Sequence, residues 1–179
     1  MKHFVKNLLL MLAFTTAGIA TLAAQAEPFR KAVYMEGLGS GVAISTHFDM
    51  RLQRGRQDGP GVRIGIGGLS NYEGYTTDGD YVEFGLLTLP VGFNYLVGQR
   101  RNSFEMGVGT TFLRANIDAE IDETLISGNG WGVLGFVNLG YRLQPLRNGL
   151  LLRINWSPAF GVNGFQAGWV GFGLGYSFR

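Results

Sequence analysis

The stretch Ala167–Arg179, AGWVGFGLGYSFR, decides the fold. From Val170 to Phe178 it alternates without a break. Val170, Phe172, Leu174, Tyr176 and Phe178 fall on one face, and Gly171, Gly173, Gly175 and Ser177 on the other. A period of two is a β-strand, because successive side chains point to opposite sides of the sheet. One face is large and apolar and the other is almost bare. That combination suits a strand whose apolar face meets lipid and whose bare face lines a narrow lumen.

Working outward, the same alternation recurs. Strands are predicted over Lys31–Leu38, Val42–Leu52, Pro60 onward, Tyr81–Val97, Ser103–Leu113, Trp131–Leu143, Leu150–Phe160 and the terminal stretch. Pro90 sits in mid-strand, where it has no N–H for the ladder, and Val82–Leu86 is out of phase with Leu87–Val97. A bulge is therefore expected between Glu83 and Pro90. Ser70–Asp80 and Ala115–Gly130 read as long loops; Gln53–Gly59, Gly98–Asn102, Gln144–Gly149 and Gly161–Gln166 read as short ones. The prediction is an all-β fold, an eight-stranded antiparallel up-and-down transmembrane β-barrel. The count is least secure at Lys31–Leu52, which reads either as two strands or as one bent strand.

The N-terminus reads as a cleavable signal peptide over residues 1–26. Lys2 and Lys6 are followed by the apolar run Leu8–Leu22 and the small-x-small site Ala24-Gln25-Ala26. The barrel domain is then 27–179. Removing the leader takes two of the 15 bases and none of the 13 acids, leaving 13 of each. Charge thus gives no argument for nucleic-acid binding. There is no cysteine, which excludes disulfides, thiolate metal sites and cysteine nucleophiles. No cofactor motif is present; the glycine run Gly65-Ile66-Gly67-Gly68 lacks the strand-to-helix setting and the following Lys-Ser/Thr of a phosphate loop.

Charge sorts by end. The two long loops carry Glu73, Asp78, Asp80, Asp118, Glu120, Asp122 and Glu123, while Arg30, Lys31, Arg54, Arg56, Arg100, Arg101, Arg147 and Arg179 gather at the other end. Aromatic residues form two belts, Trp131, Trp156, Phe112 and Trp169 at one rim and Tyr95, Phe104, Tyr141, Tyr176 and Phe178 at the other. The expected location is the bacterial outer membrane with both termini periplasmic. The expected partners are outer-membrane lipids and lipopolysaccharide, the barrel-assembly machinery during insertion, and an extracellular partner at loops 70–80 and 115–130.

Leu87–Leu96 (LTLPVGFNYL), Tyr141–Gly149 (YRLQPLRNG) and Gly173–Phe178 (GLGYSF) resemble the small eight-stranded outer-membrane barrels of the OmpX-like and OmpA-barrel class, in particular barrels common in Bacteroidota. The likeness spans the chain after the leader, and its motifs carry no chemistry. Members of that class usually end on the aromatic residue. Here Arg179 follows Phe178, so the insertion signal that the resemblance implies, Tyr176 and Phe178, stands one residue from the end.

Three constellations are candidates for chemistry. Ser45, His47 and Asp49 lie at alternate positions of one strand, facing inward, the residue types of a serine hydrolase. Outer-membrane phospholipases and lipid A deacylases use His-x-Ser on a lipid-facing strand; the order here is reversed and the face is the lumen. Glu36, Asp49, Arg51, Arg63, Glu105, Arg142 and Arg153 form an inward charge set. It reads as a salt-bridge plug, or alternatively as the selectivity ring of a small pore. The acids Asp78, Asp80, Asp118, Glu120 and Asp122 have oxygen ligands suited to Ca²⁺ or Mg²⁺ bridging to lipopolysaccharide phosphates. The favoured reading is a structural or adhesive barrel that is not an enzyme, with a lipid-modifying hydrolase and a pore as alternatives.

Overall fold

The computed structural model describes residues 29–75, 81–98, 100–121, 124–162 and 164–179. The expected leader lies outside them. Ten strands follow in order: β1 (Phe29–Leu38), β2 (Ile44–Arg54), β3 (Gly59–Tyr75), β4 (Tyr81–Val97), β5 (Asn102–Ile121), β6 (Thr124–Leu143), β7 (Gly149–Trp156), β8 (Ala159–Gly161), β9 (Gly164–Gln166) and β10 (Val170–Phe178). All pairings are antiparallel. Eight strands close a ring, β1 through β7 in sequence and then β10, which returns to β1. Lys31–Leu52 is thus two strands, β1 and the main part of β2.

Burial is inverted relative to a water-soluble core. Twenty-one polar or charged side chains are buried among the described residues, against five hydrophobic ones, Ala32, Tyr34, Leu96, Phe136 and Leu151. Meanwhile Met35, Ile44, Ile66, Phe93, Val108, Leu150, Phe172 and Leu174 are exposed on the outer wall. An apolar belt of this extent costs a great deal in water and nothing in hydrocarbon, so the wall is a lipid-facing surface.

Closure depends on the bare face of β10. Its register sets Tyr34 opposite Gly175 and Glu36 opposite Gly173. A Cβ on Gly171 would stand 2.7 Å from Glu36 Oε1, and one on Gly173 2.5 Å from Arg153 Cγ; at Gly175 it would overlap Tyr34. Glycine there makes room for long side chains reaching in from β1 and β7.

Several sequence expectations are corrected. The segments 70–80 and 115–130 are strand wherever they are described: β3 runs on to Tyr75, with 76–80 outside the described residues, and β5 and β6 fill 115–121 and 124–130. The Ala115–Gly130 pair is bonded within an unbroken β5–β6 ladder that runs to Ile121 and Thr124. With about 3.4 Å per residue and a tilt near 40°, the 20 residues of β5 rise about 50 Å, roughly twice the height of the lipid-facing band. The irregularity expected in β4 lies instead in its partner. The β4–β5 ladder is continuous, and the register slips in β3 between Leu69 and Tyr72. Leu150–Phe160 is not one strand: it ends at Trp156, and Ala159–Gln166 folds into the β8–β9 hairpin, bonded to β6 at Gly135 and Phe136. Val42, expected to open the second strand, precedes β2.

The β1–β2 connection turns into the barrel. Gly39–Gly41 forms a single 3₁₀ turn whose three residues are all buried. Leu38 and Val42, on either side, take φ of 59° and 72°. Left-handed backbone at non-glycine residues costs of order 1–3 kcal/mol each. The turn is held in place from three sides. Thr88 Oγ1 donates to Gly41 O at 2.9 Å, Thr111 Oγ1 to Ser40 O at 2.6 Å, and Trp169 Nε1 to Gly39 O at 2.6 Å.

Candidate functional site

The candidate site is the lumen below this turn. Inward positions of β1, β2, β3, β5, β6 and β7 bring together all seven charged residues singled out in the sequence. Each is buried. Glu36 accepts from Arg153 Nη1 at 2.7 Å and from Ser40 Oγ at 3.1 Å. Arg153 Nη2 donates to Glu105 Oε1 at 2.8 Å, and Arg63 Nη1 lies 3.4 Å from the same oxygen. Arg142 Nη1 lies 3.6 Å from Glu105 Oε2 and 3.2 Å from Asp49 Oδ2. Asp49 also accepts from Arg51 Nη2 at 2.7 Å and Asn94 Nδ2 at 2.5 Å. Hydrogen bonds and ion pairs thus run without a gap from Ser40 at one end to Arg51 and Asn94 at the other. A buried charge needs a partner, and the bridging roles of Arg153 and Arg142 supply one to every carboxylate.

Neutral groups complete the packing. The Tyr34 ring stacks on His47 with centroids 5.1 Å apart, and its hydroxyl accepts from both Arg63 and Arg153 at 3.2 Å. Asn138 Oδ1 accepts from Arg153 at 3.3 Å. Asn155, with its amide turned to satisfy both ends, donates to Glu36 Oε1 at 3.0 Å and accepts from Ser157 Oγ at 2.5 Å. Tyr34, Asn94, Asn138 and Asn155 were missed as members of this network. Their signal was the inward phase of their strands.

The lumen is stoppered at both ends. At the end with the termini, Arg30 donates to Ser177 Oγ at 3.2 Å, Leu146 O at 2.8 Å and Arg147 O at 2.6 Å, pinning the β6–β7 turn. Gln57 Nε2 donates to Arg100 O at 3.0 Å, and Arg142 Nε to Gln144 Oε1 at 2.9 Å. At the other end sits the Gly39–Gly41 turn.

Ser45, His47 and Asp49 do not assemble as a triad. His47 Nε2 lies 2.8 Å from Ser45 Oγ and 3.0 Å from Glu36 Oε2, so serine and carboxylate meet the same ring nitrogen. Nδ1 has no hydrogen-bond partner. A relay needs the carboxylate on the nitrogen opposite the one that serves the serine. Asp49 is committed to Arg51, Asn94 and Arg142.

Of the suggested divalent-ion ligands, Asp78, Asp80 and Asp122 lie outside the described residues, as does the side chain of Glu120. Asp118 stands in β5, opposite Glu83 of β4. No group of three His, Cys, Asp or Glu residues able to hold a metal occurs among the described residues. Of the residues of the expected insertion signal, Tyr176 is exposed on the outer wall opposite Val33 and Leu150, and Phe178 pairs with Lys31.

No family model matches the chain, and no curated protein matches it. Among solved structures, the attachment invasion locus protein Ail of Yersinia pestis aligns with a TM-score of 0.52 at 10% identity, covering 84% of this chain and 96% of Ail. Ail in complex with the heparin analogue sucrose octasulfate aligns at 0.50 and 9% identity, with the same coverage. The N-terminal β-barrel domain of Pseudomonas aeruginosa OprF aligns at 0.48 and 12%, covering 86% of this chain and all of that domain. Identities this low speak to fold alone. The likeness to Ail, with the closed ring and the inverted burial, makes the fold a small eight-stranded β-barrel of the outer-membrane type.

Proposed function

We propose that the chain is an integral outer-membrane protein that presents the β3–β4 and β5–β6 hairpins outside the cell for contact with a partner, and that its lumen is structural. The observation that carries this is the length of β5 and β6. About half of each strand stands beyond the lipid-facing band, and the ladder continues there. A protein that only spanned the bilayer would turn at the interface. The raised sheet exposes Tyr75 and Trp131 to 77% and 76%, aromatic residues of the kind enriched at binding surfaces. Seven acids and no base lie in 70–80 and 115–130. That charge favours a basic partner, or divalent bridging to lipopolysaccharide phosphates, and opposes a sulfated polyanion such as the one bound to Ail. The basic end and the termini then face the periplasm, where Tyr176 and Phe178 address the assembly machinery.

The test is to excise residues 115–130. Ala115 and Gly130 are ladder partners, so Arg114 and Trp131 are joined by an Asn-Gly turn, which suits a two-residue hairpin. Cells displaying the intact protein should adhere to polylysine-coated surfaces and not to heparin-coated ones. Cells with the excision should lose that adhesion at an equal level of folded barrel. Equal adhesion by both would refute the role of the hairpin.

The alternatives find less support. A hydrolase at Ser45, His47 and Asp49 would require a different histidine arrangement and a path for an acyl chain into a charge-filled lumen. A pore would require a gap in a network that is stoppered at both ends.

A further inference from the structure

Above the Gly39–Gly41 turn the lumen changes character. A cavity of about 390 Å³ opens there, within the size range of small-molecule sites. Val42, Leu113, Leu134, Phe136, Phe165 and Trp169 line it, and no charged side chain does. Below the turn, inward positions of the same strands carry Glu105, Asn138 and Arg142. The apolar set is therefore a local departure from a polar lumen. Phe136, only 2% exposed, closes the cup on the side of the packed lumen. Small residues make the space: Gly132, Ala159 and Gly161 also line it. An unfilled apolar cup facing water is unfavourable, which argues for an apolar occupant.

The cup also borders the lipid side. The ladder between β6 and β8 consists of two pairs, Gly135–Phe160 and Phe136–Ala159. Beyond Gly135 no further β6–β8 pair is formed among the described residues, and Gly161 lies beside Leu134 and Val133 without a ladder bond to either. Val133 shares the outward phase of Val137 and Leu139, is 54% exposed, and yet lines the cavity. Val133 thus borders both the cavity and the exposed outer wall.

We infer that this cup binds a hydrocarbon chain, the acyl chain of a membrane lipid, admitted past Val133 where the β6–β8 ladder ends, with its polar head left at the rim near Gln166. Trp169, whose indole N–H is held by Gly39 O, supplies a fixed apolar wall and a reporter. This site is independent of the proposed surface contact through the hairpins.

The test uses Trp131→Phe and Trp156→Phe together, leaving Trp169 as the single tryptophan, in lipid nanodiscs. Nanodiscs of phospholipid brominated on its acyl chains should quench Trp169 relative to unbrominated lipid. Filling the cup with Gly161→Leu and Ala159→Leu should relieve that quenching. The Cβ added at 161 crowds only the Leu134 Cδ2 methyl, at 2.7 Å, the far end of a side chain that can swing aside, and stands in ordinary contact with Val133 O at 3.5 Å. Heat-modifiable gel migration checks that every variant is folded, and should the double filling fail, Ala159→Leu alone serves. The inference is overturned if brominated lipid does not quench Trp169, if quenching persists undiminished in the filled, folded barrel, or if only a free brominated fatty acid quenches.

Discussion

Replacing Arg153 with methionine removes the bridge at the centre of the lumen while keeping most of its volume. Arg153 pairs with Glu36 at 2.7 Å and Glu105 at 2.8 Å, and its side chain is 1% exposed. Solvent screening therefore gives no relief. Removing one partner of a buried ion pair costs about 3–5 kcal/mol, because the remaining charge is left uncompensated. Here the carboxylates keep other partners. Glu36 retains His47 and Ser40, and Glu105 retains Arg63 at 3.4 Å and Arg142 at 3.6 Å. The expected loss is thus toward the lower end, about 3 kcal/mol. Adding Glu36→Gln removes the charge that Arg153 served, and Glu105 stays paired. That double variant should recover about 1–2 kcal/mol of the loss, a coupling typical of residues in direct contact. Urea unfolding of the barrel in lipid vesicles, followed by tryptophan fluorescence, measures both. Arg153→Met within about 0.5 kcal/mol of the parent, as for an ordinary surface change, would refute a structural role for the network. Strictly additive losses in the double variant would refute the Glu36–Arg153 pairing.

Other perturbations test other parts. Gly175→Val drives a branched side chain into Tyr34 and should cost at least about 1–3 kcal/mol, the range for overpacking; a normal folded fraction by heat-modifiable migration would contradict the closure geometry. Ser45→Ala and His47→Ala should leave the phospholipid and lipid A acyl profiles unchanged by mass spectrometry, whereas an altered profile would restore the hydrolase. Phe178→Ala should lower the amount of assembled barrel in the outer membrane, and undiminished levels would remove it from the insertion signal. Planar bilayers holding the protein should show no conductance steps, since ion pairs and two stoppers fill the lumen; reproducible discrete steps would favour the pore.

The membrane-embedded half of the fold was legible because lipid on one side and a packed lumen on the other force a period of two. Val170–Phe178 shows that pattern at its plainest, with large apolar residues on one face and glycine and serine on the other. The raised hairpins were not legible for the complementary reason. In the proposed placement beyond the bilayer both faces of a strand meet water, so residues 115–130 need no apolar alternation and read as loop. The seven lumen charges were visible through their phase, but their partners were not. Which carboxylate reaches His47 depends on the β1–β2 register, which sets Glu36 opposite Ser45 and Tyr34 opposite His47. The tight inward turn at Gly39–Gly41 fixes that register, and no sequence rule anticipates φ of 59° and 72° at Leu38 and Val42. Asp49, two residues from His47, is the third member that spacing alone suggests, yet Arg51, Asn94 and Arg142 claim it. The apolar cup was hidden likewise, because Leu113 and Leu134 are inward residues of hairpin segments assigned to a strand end and to alternating wall.

The most direct test asks which parts of the chain face outward. The protein has no cysteine, so single introduced thiols are unambiguous. Gly128→Cys places one on the raised β5–β6 hairpin, where an added side chain meets nothing within 4 Å. Arg56→Cys places one in the exposed β2–β3 turn, at the end of the barrel that carries the termini. A bulky membrane-impermeant maleimide should label Gly128→Cys on intact cells, and should label Arg56→Cys only after the outer membrane is permeabilised. Labelling of Arg56→Cys on intact cells, with Gly128→Cys protected, would contradict the orientation and with it the proposal that the hairpins meet a partner outside the cell.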